Sequence, residues 1–259
     1  MFSPEDLERY SRQILLPKVG GRGQARLGRM RVAIVGAGGL GSPAAIYLAS
    51  GGVGHITIID SDRVESSNLH RQVIHGEQDI GRWKVDSAAD RIRELNPSVT
   101  CEPLRLRLSE ENARETLRGH DVVIEGSDNL ETKFLVNDAC YFERIPLVWG
   151  GILRFEGQVS VVLPGESACY RCLFRELPPP GSAPTCQQAG VLGPLAGLVG
   201  TLQAAEAIKR GLGIGTALCN QILSIDLLSG RFRTVPMPRS PTCPLCGKEP
   251  VIEAVETTT

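Results

Sequence analysis

Arg71, Lys84 and Asp128 are the residues of this chain whose types and positions could act on a phosphate. They surround a glycine cluster. Gly36, Gly38 and Gly41 stand in G-x-G-x-x-G spacing with Gly39 between them, and Asp60 follows 19 residues after Gly41. Glycine permits the tight turn and lets backbone N–H groups approach a phosphate, and a helix N-terminus adds positive potential. Asp60 is placed to accept hydrogen bonds from a ribose. The polar stretch from Ser61 to Gln72 carries Asp62, Glu65, Asn68, Arg71 and Gln72, and Lys84 lies beyond Gly81. Arg71 and Lys84 read either as surface charges or as two cations that suit a triphosphate better than a diphosphate. Asp128 reads either as a cap for the helix after it or as a carboxylate for a Mg²⁺ that bridges phosphates.

Cysteine supplies a second chemistry. Cys169/Cys172 and Cys243/Cys246 are two C-x-x-C pairs separated by 70 residues. Each pair can hold one side of a tetrahedral Zn²⁺, and four thiolates would leave the metal structural rather than catalytic. Cys101, Cys140 and Cys219 sit in apolar or helical contexts and read as core residues. Cys186 lies in a Pro-, Gly-, Ser- and Gln-rich stretch from Arg175 to Ala189, where a thiol could reach a substrate or stand by on the surface.

The elements that must position these groups follow from hydrophobic period and punctuation. Val32–Val35, His55–Asp60, Thr100–Leu108, Asp121–Glu125 and Pro146–Trp149 read as strands. Between them Ser42–Ser50, Lys84–Leu95, a stretch capped by Ser109 and running to Arg118, and Leu130–Phe142 read as helices. Alternation of strand and helix predicts a parallel sheet with ligands at its carboxyl edge. It stops after Gly150-Gly151. Gln158–Leu163, Ile222–Asp226 and Arg231–Val235 read as strands, with Phe155 in an adjoining one, and Pro194–Gly211 as a helix. The expectation is an α/β fold: a Rossmann-like, mostly parallel sheet with helices on both faces, extended by antiparallel strands and a structural zinc knuckle. One domain spans 1–259, with a nucleotide half at about 1–150, a carrier-binding and zinc half at about 151–250, and a tail at 251–259.

With 259 residues, 42% hydrophobic and 22% charged, the chain reads as an ordinary globular protein. A net charge of −1 gives no basic surface for nucleic acid or an anionic membrane. No apolar run reaches membrane-span length and the N-terminus is too polar for a signal peptide, so a cytoplasmic protein is expected. Ser3–Leu15 reads as a helix capped by Ser3, and composition makes Arg9 and Arg12 a solvated basic face.

Taken jointly, RYSRQ (9–13), GAGGLG (36–41), D-x-D-x-V-E-x-S-N-L-x-R-Q (60–72), Lys84, S-D-N (127–129), CYRC (169–172), TCQQAGV (185–191) and the last cysteine pair resemble the ThiF/MoeB/HesA family. These are prokaryotic relatives of the ubiquitin-activating enzymes. The resemblance implies adenylation, with Mg·ATP, of the C-terminal Gly-Gly carboxylate of a small ubiquitin-like sulfur carrier, with release of pyrophosphate. It implies that Gly36, Gly38, Gly39 and Gly41 form the ATP cradle and that Asp60 holds the ribose. Asp62, Ser67, Asn68, Leu69, His70, Arg71, Gln72 and Lys84 would surround the nucleotide. Asp128 would bind Mg²⁺ with Asn129 beside it, and Arg12 would reach the phosphates of the other subunit of a homodimer. Cys186 aligns with a cysteine that some relatives use for a covalent link to the carrier. The chain stops after the zinc knuckle, so the sulfur is expected from a separate donor protein.

The implied chemistry is electrostatic. A carboxylate and an α-phosphate repel, and cations offset that repulsion and stabilise the leaving pyrophosphate. No general base is required, because a carboxylate is ionised near neutral pH. An NAD-dependent oxidoreductase shares the glycines and Asp60, but it has no use for Arg71, Lys84, Asp128 and the cysteine pairs. An enzyme that adenylates a carboxylate on a modified tRNA base fits poorly with the neutral charge. A non-catalytic zinc scaffold for a ubiquitin-like partner would not require the phosphate-handling residues.

Overall fold

The computed structural model describes residues 2–179 and 186–255, apart from the side chains of Cys186 and Gln187. Val32 and Ile34 of β1 (Arg31–Val35) pack into one core, and Ala33 and Val35 into another. That period of two, apolar on both sides, is what a strand covered on each face requires. β2 (His55–Ile59), β3 (Thr100–Leu104), β4 (Val122–Glu125) and β5 (Leu147–Leu153) complete a parallel set, and β6 (Glu156–Val162), β7 (Gln221–Asp226) and β8 (Arg231–Pro236) continue it antiparallel. The eight strands form one sheet in the order β3-β2-β1-β4-β5-β6-β7-β8. The division expected near residue 150 falls inside β5, which is hydrogen-bonded to β4 on one side and β6 on the other.

In chain order the helices are α1 (Pro4–Arg9), α2 (Ser11–Ile14), α3 (Gly20–Leu27), α4 (Gly41–Ser50), α5 (Lys84–Leu95), α6 (Ala113–Leu117), α7 (Leu130–Glu143), α8 (Tyr170–Leu173), α9 (Cys186–Ala189) and α10 (Gly193–Leu212). Ala44, Leu48, Val85, Ile92, Leu195 and Val199 of α4, α5 and α10 join one core; Leu117, Phe134, Leu135 and Ala139 of α6 and α7 join the other. Helices therefore cover both faces, as the sequence predicts. Among the described residues no helix is long and apolar enough to cross a membrane.

Several elements differ from the sequence reading. The N-terminal helix is two helices that meet at Tyr10, which is buried and whose hydroxyl accepts from Asn96 Nδ2 at 2.7 Å. Ser3 does cap α1, in a reciprocal box with Asp6. α3 is composed of GGRGQARL, a poor helix sequence by propensity, and is held by burial of Gln24 and Leu27. β3 ends at Leu104, because a turn from the Leu106 N–H to the Leu104 carbonyl diverts the chain. The next helix starts at Ala113 rather than at Ser109, whose N–H instead donates to Asn112 Oδ1 at 2.9 Å. Gly150-Gly151 does not end β5, since pairing with β6 carries the strand on to Leu153.

Candidate functional site

β1 lies between β2 and β4, so strand order reverses there, and a crevice opens at the carboxyl ends of these strands. The Gly36 N–H donates to the Ile59 carbonyl at 2.8 Å and the Gly126 N–H to the Val35 carbonyl at 2.9 Å, which fixes the rim. The crevice is a cavity of about 640 Å³. Gly36, Gly38, Gly39, Asp60, Asp62, Arg71, Gln72, Lys84, Asp128 and Asn129, which came from five separate stretches of sequence, line it. Two glycines are required sterically. Gly36 has φ +92°, and a Cβ there would lie 2.9 Å from the Gly126 carbonyl oxygen. Gly41 does not line the cavity; a Cβ on it would stand 1.8 Å from the Gly36 carbonyl oxygen, so this glycine lets α4 start against the turn.

Asp60 accepts backbone N–H bonds from Ala37 and Asp62, each at 2.8 Å. Burial pushes its carboxyl above the usual carboxylate range, against the Lys84 charge and those two amides. Lys84 is buried at the first turn of α5 and pairs with Asp62 at 2.8 Å. Arg71 donates to the Ser67 carbonyl at 3.1 Å and lies 2.8 Å from His70 Nε2, and a Cβ on Gly39 would meet its stem at 3.6 Å. Ser67, Asn68, Leu69 and His70 do not line the cavity. They form the turn that braces it: Asn68 donates to Glu65 and Ser67, and its Oδ1 accepts from Gln72 Nε2 at 2.6 Å. Gln72 Oε1 is buried with no hydrogen-bond partner among the described residues.

Asn129, and not Asp128, caps α7, accepting from the Thr132 N–H at 2.8 Å. That resolves one ambiguity of the sequence. Asp128 stands exposed at the cavity wall, free of the capping role. Arg12, on α2, is exposed and does not line the cavity of its own chain. The Cys186 thiol lies outside the described residues.

Sequence reasoning missed an ionic floor. Glu125, fully buried at the end of β4, pairs with Lys133 of α7 and accepts from Ser127, while Lys133 also donates to the Gly150 carbonyl at 2.6 Å. Lys133 and Arg107 line the cavity too. Spacing gave one usable signal, since Lys133 lies four residues after Asn129 and so on the same face of α7. Gln203 of α10, fully buried, donates to the Glu125 and Val148 carbonyls, and no short-range pattern marks it.

The four paired cysteines converge, their sulfurs all within 4.8 Å of one another. The separations are 4.0 Å for Cys169–Cys172, 3.6 Å for Cys169–Cys243 and 3.4 Å for Cys172–Cys246. Tetrahedral Zn²⁺ with bonds near 2.3 Å demands edges of about 3.8 Å, so the set fits that metal. The crowded sulfurs shift one another's thiols, Cys172 and Cys243 downward and Cys169 and Cys246 upward. α7 holds this knuckle. Asn137 Oδ1 accepts from the Tyr170 N–H at 2.8 Å, and Asp138 takes three hydrogen bonds from the buried Arg171. Tyr170 and Phe174, which flank the cysteines, form part of the cavity wall.

The pattern of the ThiF family matches residues 10–245. The chain belongs to the ThiF family. This ThiF-family chain is 50% identical over 242 residues to the SAMP-activating enzyme E1 of Haloferax volcanii, covering 93% of this chain and 89% of that protein. It is 49% identical over 254 residues to the sulfur carrier protein adenylyltransferase of Thermus thermophilus, covering 96% and 94%. The adenylyltransferase and sulfurtransferase MOCS3 of Mus musculus is 44% identical over 256 residues; this chain spans 56% of its length. Among solved structures, E. coli MccB with MccA-N7isoASN superposes with a TM-score of 0.82 at 24% identity, over 93% of this chain and 75% of MccB, a likeness of fold.

Proposed function

We propose that this chain adenylates the C-terminal carboxylate of a small ubiquitin-like sulfur carrier, consuming ATP and releasing pyrophosphate. The relatives named as adenylyltransferases, at 44% and 49% identity, support the reaction class. The observation that carries the reading is the convergence of Gly36, Gly38, Gly39, Asp60, Arg71, Lys84 and Asp128 on one cavity at the carboxyl edge of the sheet.

In this reading the glycine turn receives phosphate oxygens on backbone N–H groups, and Asp60 accepts from the ribose. Arg71 and Lys84 lower the charge repulsion as the carrier carboxylate oxygen bonds to the α-phosphorus and the bond to pyrophosphate breaks. Asp128 would hold Mg²⁺, a hard cation that offsets phosphate charge. The cysteine set would hold Zn²⁺ as a structural staple, keeping Tyr170 and Phe174 at the wall. The first half of the chain serves the nucleotide, and the half after about residue 150 serves the carrier and the zinc.

Charge balance supports a dimer. Asp60, Asp62, Asp128 and Glu131 face Arg71, Lys84, Arg107 and Lys133, and Lys133 is already paired with Glu125 beneath it. A cavity with no net positive charge does not balance a triphosphate. Mg²⁺ and Arg12 from a second copy supply the missing positive charge in this proposal. Sulfur then comes from a separate donor protein, and the work is cytoplasmic.

Pyrophosphate exchange into ATP with candidate Gly-Gly carriers tests the reading. Exchange is expected with one intact carrier and is lost when its last glycine is removed. NADH binding without exchange would overturn it in favour of an oxidoreductase, and ATP turnover absent with every carrier would favour a scaffold. Cys186→Ala is expected to retain exchange, because the adenylation step uses no thiol.

A further inference from the structure

His75 is buried beneath the glycine turn, off the nucleotide cavity. Its Nε2 lies 3.0 Å from the Ala37 carbonyl oxygen and its Nδ1 2.8 Å from Ser87 Oγ of α5. A carbonyl oxygen only accepts, so Nε2 carries the proton; Nδ1 faces Ser87 Oγ, whose hydroxyl also interacts with the Asp79 carboxylate. Burial holds the ring's pKa below its ordinary value, in keeping with that neutral tautomer.

The consequence lies on the other side of one peptide bond. In a trans peptide the C=O of one residue and the N–H of the next point in opposite directions across a rigid plane. The chain has no cis peptide among the described residues. With the Ala37 carbonyl drawn down to His75, the Gly38 N–H is turned away from the histidine, and Gly38 lines the cavity. That N–H has no protein acceptor among the described residues. The Ala37 N–H is separately tied to Asp60. Both peptide planes at Ala37 are therefore held, one by Asp60 and one chiefly by His75, with the Ser42 hydroxyl of α4 a longer second donor to the Ala37 carbonyl at 3.5 Å.

We propose that His75 is a positioning residue for nucleotide binding: by holding the Ala37 carbonyl it presents the Gly38 N–H to a phosphate oxygen in the cavity. This rests on the cavity's being a nucleotide site, as proposed above. Ser87 acts one step further out, by holding the imidazole ring through its contact with Nδ1.

The test compares ATP with adenosine, which has the base and ribose but no phosphate. His75→Phe keeps a flat ring and removes both nitrogens. It is expected to raise the Kd for ATP about tenfold, which is about 1.4 kcal/mol, and to leave the Kd for adenosine within about twofold. In the exchange assay KM for ATP rises while KM for the carrier stays put. His75→Gln, with an amide donor, restores part of the ATP affinity, and Ser87→Ala weakens it about threefold. Equal losses for ATP and adenosine, or unchanged ATP affinity, overturn the proposal. Should His75→Phe fail to fold, Ser87→Ala decides on the same criterion. The two proposals fail separately. Wild-type protein that binds ATP with this phosphate-selective response but exchanges no pyrophosphate leaves His75 in place and removes the adenylation reading.

Discussion

Gly36 and Gly119 form a matched pair for testing whether the turn's geometry, and not merely its glycine content, builds the site. Their φ angles are +92° and +82°. A side chain at either enters a region that L residues rarely adopt, costing about 1–2 kcal/mol. Around Gly119 nothing stands within 4 Å of an added Cβ, so Gly119→Ala should cost only that strain. At Gly36 the new Cβ would stand 2.9 Å from the Gly126 oxygen, 3.1 Å from its carbonyl carbon and 3.2 Å from the Ser127 nitrogen. These are backbone atoms at the end of β4 and cannot rotate away. Forcing them apart adds about 1–3 kcal/mol. Gly36→Ala should therefore lose about 2–5 kcal/mol in all, against about 1–2 for the control. At about 2–4 °C per kcal/mol, thermal unfolding separates the two variants. Function separates them further. The displaced segment leads directly into Asp128, and a misplacement on the order of 1 Å costs about 100-fold in rate. Pyrophosphate exchange should fall about 100-fold in Gly36→Ala and stay near wild type in Gly119→Ala. Equal Tm losses with exchange retained in both would refute the claim that the close approach of β1 and β4 positions the site.

Three further outcomes are expected. Asp128→Ala should reduce exchange at least about 100-fold while changing stability by less than about 0.5 kcal/mol, because the carboxylate is exposed and caps nothing; a large drop in Tm would assign it a structural role instead. Arg171→Met should cost about 3–5 kcal/mol by leaving Asp138 charged and unpaired in the interior, and Arg171→Met with Asp138→Leu should recover much of it. Denaturant midpoints of the two single variants and the double one measure this, and a double variant no better than either single would contradict it. Chelation of zinc, or Cys172→Ser, should abolish about one equivalent of bound metal by atomic absorption and lower Tm, with the Tyr170 segment gaining hydrogen exchange; protection unchanged there would show that the metal does not support the cavity wall.

Much of this protein was readable from the chain because its decisive segments are local. The run from Val32 to Asp60 specifies strand, turn, helix, strand and acid within 29 residues, and each signal depends only on near neighbours. Both cysteine pairs were equally plain, since C-x-x-C spacing by itself places two sulfurs on one side of an ion. Where the sequence failed, the cause lay outside the segment. α3 is helical because Gln24 and Leu27 are buried, which its glycines do not reveal. Asp128 could have been a cap until Asn129 was seen to occupy that role.

Sequence alone determined the donors: a glycine turn, an acid after the second strand, two cations, a turn acid and four thiols. Tertiary structure decided which of them meet. It paired Lys84 with Asp62 and laid Glu125 and Lys133 under the cavity. It drew cysteines 70 residues apart to within bonding range of one ion and set His75 under Ala37. Spacing along a chain fixes geometry only within a helix or a strand. Across a sheet, register and packing choose the neighbours, and here the parallel order of β2, β1 and β4 brought the separate loops to a common edge.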